Sequence, residues 1–245
     1  MAFIGCKIIF AAKIYVLKKI LLFSFLLTFT CFNANSQTEE AQFGAWYMYF
    51  WNTDFNESKF GLQGDFQYRD HEIIGDFQQF IARAGVSYNP NSNLKLVLGY
   101  GHFTSGTLGE STETSAENRI FQDVNLPHKI TEKILVNHRL RLEERWIENQ
   151  DFRTRYRYLI GLTIPLNKPV ITKNSLYLSL SNEVFINGQK NIGDDRMVEY
   201  FDRNWLYGAL GYTILDNLKL QLGLMKQSTN NTSKNQLQIS LHHSF

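Results

Sequence analysis

The sequence predicts an all-β protein, an antiparallel up-and-down transmembrane β-barrel of 10 to 12 strands closed by its C-terminal strand. Three observations lead there. The last residues alternate, with Leu237, Ile239, Leu241, His243 and Phe245 on one face and Gln238, Ser240, His242 and Ser244 on the other. A two-sided strand that ends on an aromatic is the form in which outer-membrane barrels present their last strand for assembly, so Leu241, His243 and Phe245 are read as a barrel-assembly signal. At the other end, Lys18 and Lys19 precede a short apolar run, as in an export leader. Between the two, apolar residues recur with period two, and no segment shows a helical period.

The leader comes first. Residues 20–32 are apolar, and Ala34-Asn35-Ser36 offers small residues to a signal peptidase, with cleavage expected before Gln37. The run is too short for a spanning helix, which needs about 20 apolar residues. Residues 1–36 are therefore expected to be a signal peptide, with 1–17 an over-extended gene start, and residues 37–245 the barrel. Four of the 25 basic residues are lysines of the leader, which leaves 21 against 23 acidic residues, a net of −2. The basic balance of the whole chain thus says nothing about nucleic acid. Cys6 and Cys31 also fall in the leader, so the mature chain offers neither a disulfide framework nor a thiolate metal site.

From Lys59 onward ten amphipathic strands follow, bounded by turn residues. Phe60, Leu62, Phe66 and Tyr68 alternate with polar residues, then Phe80, Ala82, Ala84, Val86 and Tyr88, then Leu94, Leu96, Leu98 and Tyr100. After a polar loop come Ile120, Val124 and Leu126, then Ile134, Val136, Leu140, Leu142 and Trp146, then Tyr156, Tyr158, Ile160, Leu162 and Ile164. Four more end the chain, centred on Leu180, Leu210, Leu222 and Ile239. Residues 42–51 make an eleventh candidate that is apolar on both faces. Single-chain bacterial barrels have even strand numbers, so that segment is expected outside the wall, or one short strand remains to be found.

Punctuation agrees. Pro90, Pro127, Pro165 and Pro169 are expected in turns, where a missing amide costs no ladder bond. Longer loops are expected at 71–76, 104–117, 187–203 and 227–235, the asymmetry of outer-membrane barrels. Asn93-Leu94-Lys95-Leu96-Val97-Leu98-Gly99 recurs as Asn217-Leu218-Lys219-Leu220-Gln221-Leu222-Gly223, so two hairpins share one design. Tyr68, Tyr100, Trp146 and Phe152 fall at the outer ends of apolar faces, and Tyr88, Tyr212 and Phe245 at the inner ends, where two interfacial girdles would sit. A soluble β-sandwich alternates as well, but leader, terminal Phe and girdles together favour the membrane barrel.

The chain resembles an uncharacterised domain-of-unknown-function family of outer-membrane barrel proteins from Bacteroidota. The resemblance runs through Trp46-Tyr47-Met48-Tyr49, Glu117-Asn118-Arg119-Ile120, residues 139–145, Phe201-Asp202-Arg203-Asn204 and Asn235-Gln236-Leu237-Gln238. It implies a barrel and supplies no activity or catalytic residue.

If the apolar positions face lipid, their alternates face the lumen. Arg139, Arg141, Glu143 and Arg145 then stand beside Arg153, Arg155 and Arg157, with Glu183, Asp123 and Asp65 as candidate partners. Guanidinium groups bind phosphate or carboxylate by paired hydrogen bonds, so this wall would suit a narrow anion-preferring channel. The favoured reading is a salt-bridged network filling a small lumen, since narrow barrels pack their interiors with side chains. A lipid-modifying hydrolase needs a histidine beside a serine, and His102, His138, His242 and His243 show no serine on a shared face at that spacing. No catalytic residue, cofactor or metal site is expected. The expected partners are outer-membrane lipid and the barrel-assembly machinery, and the expected location is the outer membrane of a Gram-negative bacterium.

Overall fold

Eleven strands form one closed barrel: β1 (Phe43–Asp54), β2 (Phe60–Asp70), β3 (Phe77–Asn91), β4 (Leu94–Gly106), β5 (Thr114–Lys129), β6 (Leu135–Ile147), β7 (Arg153–Pro165), β8 (Leu176–Asn187), β9 (Phe201–Leu215), β10 (Leu218–Ser228) and β11 (Ser233–Ser244). No helix occurs among the described residues. The computed structural model describes residues 43–245 except 56–57, 110 and 132, and the expected leader, with both cysteines, lies outside that range.

Each strand pairs with its sequence neighbours in antiparallel fashion, and β1 closes the ring on β11 in parallel, from Phe43↔Asn235 to Asn52↔Ser244. Neither expectation for residues 42–51 holds: its described part, from Phe43, lies in the wall as β1, and the strand number among the described residues is odd. The parallel seam follows from that count. In an up-and-down ring of odd number the first and last strands run the same way, so closure cannot be antiparallel. Phe43 therefore starts β1 at one end of the barrel while Phe245 lies at the other, beside Asn52, whose carbonyl accepts the Phe245 amide at 2.9 Å. β1 is apolar on both faces because Trp46, Met48 and Phe50 point into the lumen and their alternates point out.

We call the end carrying the connections 71–76, 107–113, 148–152, 188–200 and 229–232 the loop end, and the opposite one the turn end. The repeated Asn-Leu-Lys-Leu units open β4 and β10 after two-residue turns at 92–93 and 216–217. The 71–76 loop has its expected bounds, and the other three are shorter than expected because the ladders of β4, β5, β9, β10 and β11 continue through polar residues beyond the apolar stretch. At the turn end, the connection 166–175 is longer than a tight turn. Three prolines also differ from expectation. Pro127 sits in the β5–β6 ladder opposite Asn137, Pro165 ends β7, and Pro90 lies where the β3–β4 register shifts; only Pro169 is in a turn. Edge and bulge positions tolerate a missing amide, which is why Pro90 falls at a bulge.

Alternation divides the wall cleanly. Outward positions carry large exposed apolar side chains all round the barrel, among them Phe66, Leu98, Leu140, Tyr156, Leu210 and Leu222. Inward positions hold the buried charges and a set of aromatics. Two of these aromatics need glycine opposite them: Phe121 lies over Gly99 and Tyr177 over Gly211, each a direct cross-strand pair. A Cβ on Gly211 would overlap the Tyr177 ring, so the lumen there is filled to contact.

Candidate functional site

The inward charges form one connected network on β5 to β9. Glu143 is its centre, with 1 % of its surface exposed. Arg155 Nη2 and Arg157 Nη1 donate to it at 2.6 and 2.7 Å, and the Nη1 atoms of Arg119 and Arg141 stand 3.7 and 3.9 Å away. Strand geometry produces this convergence. Glu143 and Arg155 are directly opposite in the β6–β7 ladder, Arg141 and Arg157 are opposite one step further toward the turn end, and all four side chains point inward. Around the centre, Arg141 makes a two-point bond to Asp123 at 2.6 and 2.7 Å, and Arg139 and Arg157 share Glu183 at 2.7 and 2.8 Å. Arg145 bonds Glu117 at 2.6 Å, and Arg153 lies nearest the loop end on β7.

All seven residues of the expected arginine wall thus face the lumen, as do Glu183 and Asp123. The carboxylates Glu143, Glu183 and Asp123 pair with that wall. Asp65 does not: it pairs with Arg83 of the neighbouring strand β3, at 2.9 Å, and belongs to a second cluster. Four participants escaped the sequence reading. Glu117 falls in the expected 104–117 loop and Arg119 is not among the expected lumen residues, yet β5 begins at Thr114 and carries both into the lumen. Asp202 and Arg203 fall in the expected 187–203 loop, and being consecutive they would take opposite faces by simple alternation. A register shift between Phe185 and Ile186 brings both inward, and Asp202 accepts from Arg155 at 2.8 Å and Arg203 at 3.1 Å.

Aromatic rings continue the network across the bore. Arg119 lies 3.6 Å over Phe103, Arg141 4.4 Å over Phe121, and Arg157 4.3 Å over Phe185. Phe185 meets Trp205 at 4.5 Å, Trp205 meets Trp46 at 5.2 Å, and Arg69 sits 3.6 Å over Trp46. Trp46 is on β1 and Trp205 on β9, so this contact passes over β10 and β11 and is a chord through the barrel. Its members are stacked edge to face or as cation–π pairs, arrangements favourable in a space shielded from water.

Two chambers result. The loop-end chamber has a volume of about 440 Å³ and the turn-end chamber about 380 Å³. They share Phe50, Arg83, Arg139 and His242 as a common floor. His242 stacks on Phe50 at 4.8 Å with 14° between the rings, Arg83 is held by Asp65 and Arg139 by Glu183. At the loop end, outside the strands, burial pushes the His71 imidazole below its ordinary value, so it adds no charge to the rim at neutral pH.

The histidines require one correction. Ser240 and His242 do share a face, both inward on β11, with Oγ and Nε2 3.0 Å apart. The expectation of no serine on a face shared with a histidine fails for this pair, two residues apart on the inward face. Ser240 is 1 % exposed, and no carboxylate holds the other His242 nitrogen among the described residues, so this pair lacks an orienting group. On the outer face His102 bonds Asn118 at 2.8 Å and His138 bonds the Tyr158 hydroxyl at 2.7 Å, with no hydrogen bond to a serine or carboxylate among the described residues. On β11, His243 stays outward, sharing a 3.1 Å hydrogen bond with the Tyr49 hydroxyl and lying 4.0 Å from the Phe245 ring. Leu241 pairs with Tyr49 and Leu220.

Comparison with curated proteins returns no similar sequence. A family profile matches residues 43–238, nearly the whole barrel from β1 into β11. The chain belongs to the family described as "Protein of unknown function (DUF2490)".

Proposed function

We propose that the protein is an integral outer-membrane β-barrel of a Gram-negative bacterium, exported through a cleaved signal peptide, with a lumen closed by its arginine–carboxylate network. The observation that carries closure is the chord of side chains from Arg69 through Trp46, Trp205 and Phe185 to Arg157 and Glu143. Below it the floor of Phe50, His242, Arg83 and Arg139 separates the chambers. Such a lumen would stiffen the barrel rather than conduct.

The outer surface supports the membrane setting. Leu98, Leu210 and Leu222 are 60, 59 and 55 % exposed on three different strands, part of a belt far larger than a soluble monomer leaves in water. Strands of 11 to 16 residues meet or exceed the roughly 9 to 11 that a tilted strand needs to cross a bilayer. Outer-membrane lipid would cover this belt, and the assembly machinery would engage β11 through Leu241, His243 and Phe245.

Cell fractionation tests the location, and one variant tests the signal. Phe245→Asp keeps the backbone bond to Asn52 but places a charge beside His243 on the outer face. It should remove most heat-modifiable protein from the outer-membrane fraction, while Ser244→Ala, which loses only a hydrogen bond to Asn52, should assemble normally. Equal assembly of the two variants would contradict the role given to the terminal aromatic.

One observation favours a narrow anion-preferring channel as the second reading. Nine arginines line the loop-end chamber against two carboxylates, Glu117 and Glu183. In an open lumen this excess would exclude cations.

A further inference from the structure

We propose that the loop-end chamber binds a small solute bearing a phosphate group, held by Arg153 with Arg145 and Arg203 beside it. The proposal rests on the closed-lumen reading for its chamber, a vestibule with a floor.

The argument starts from a row of like charges. Arg119, Arg145 and Arg153 are successive cross-strand partners on β5, β6 and β7, all inward. Like charges directly opposite in a sheet repel. One carboxylate relieves the first two: Glu117 accepts from Arg119 and from Arg145, at 2.6 Å each. Arg153 receives no direct bond from it. It has no ion pair or hydrogen bond among the described residues, its Nε is a buried donor with no acceptor, and the residue is 8 % exposed. Arg203 repeats the pattern in part, since one edge meets Asp202 while its buried Nε has no acceptor.

The carboxylates of the lumen do not balance its arginines. Ten arginines line the two chambers, and the six carboxylates that form ion pairs with them, from Asp65 to Asp202, each already accept at least one charge-assisted bond. An unpaired buried cation is costly, so the excess calls for a mobile anion. A guanidinium offers parallel donors that match two oxygens of one phosphate, and two neighbouring guanidiniums match its double charge. The chamber, at about 440 Å³, is larger than phosphate alone requires and lies within the usual range for small-molecule sites. Trp46, Tyr207 and Met225 on its far side could contact the organic part. The continuous ladder of β5 to β9 separates this space from lipid outside the barrel, which favours a dissolved phosphate over a lipid headgroup.

Titration calorimetry of the folded, detergent-solubilised full barrel with inorganic phosphate at constant ionic strength tests this. Saturable binding to a single site is expected, absent with chloride, weakened at least tenfold in Arg153→Gln and unchanged in Lys168→Gln, a charge-matched change at the turn end. Arg153→Gln should keep its heat-modifiable migration, because the residue makes no internal ion pair. Should that variant not fold, Arg203→Gln gives the same comparison. Absent saturation in the folded wild type, equal binding of chloride, or undiminished binding in the arginine variant would overturn the proposal. Competition by phosphatidic acid doped into the micelle would overturn the assignment to a dissolved ligand. Binding in micelles requires neither membrane residence nor a test of conduction, so its failure leaves the closed-barrel reading to be judged separately.

Discussion

Glu143→Gln is expected to destabilise the barrel by about 3 to 5 kcal/mol, the cost of removing one partner from a buried ion pair. The mechanism is specific to this position. Arg155 and Arg157 donate directly to Glu143, Arg119 and Arg141 lie within 4 Å, and the neutral amide leaves these cations facing one another without the central charge. Gln keeps the volume of Glu, so packing loss does not confuse the comparison. Glu144 supplies the control: its side chain points the other way, and it makes no ion pair among the described residues. Glu144→Gln should be neutral or stabilising. Equilibrium urea unfolding of both variants in the same lipid or detergent reads the difference, and a loss below about 1 kcal/mol for Glu143→Gln would show that the other carboxylates carry the network without it.

Leu222→Arg carries the second large effect, about 2 to 4 kcal/mol if the residue lies near the bilayer midplane. Leu222 is close to the middle of β10 and 55 % exposed on the outer face. For a soluble barrel the same change would replace one exposed side chain by another, within about 0.5 kcal/mol. The two settings therefore differ severalfold on one substitution. Unfolding measured in bilayers gives the value, and a neutral result would remove the lipid from the account of the outer surface.

How much of this was legible depends on what each residue's signal contains. Strand existence was legible because alternation is local: Leu94, Leu96 and Leu98 announce β4 without knowledge of its neighbours. The inward set follows from parity: the odd-numbered residues of 139–145 and 153–157 line the two chambers or lie buried beside them. Strand ends were less legible. The apolar period stops where the exposed belt stops, whereas hydrogen-bonded pairing continues through Thr114 and Ser115, so Glu117 looked like loop. β1 misled because a strand buried on its inner face and apolar outside has no alternation to read. Asp202 falls in the expected 187–203 loop, and the bulge that turns it inward carries no residue type that marks it. Which arginines pair and which do not was never in the sequence. That division depends on one carboxylate, Glu117, being shared across the β5–β6 ladder while Arg153 lies one strand too far.

The folded wild-type barrel in planar bilayers tests the central claim, a lumen closed by its own side chains. With the Trp46–Trp205 chord and the Phe50–His242 floor in place, no steady conductance should appear across a symmetric potassium chloride solution. Glu143→Gln, if refolded, should show intermittent openings as the network loosens. A stable wild-type conductance with a reversal potential favouring chloride over potassium would contradict the claim and establish the arginine lumen as an open anion path.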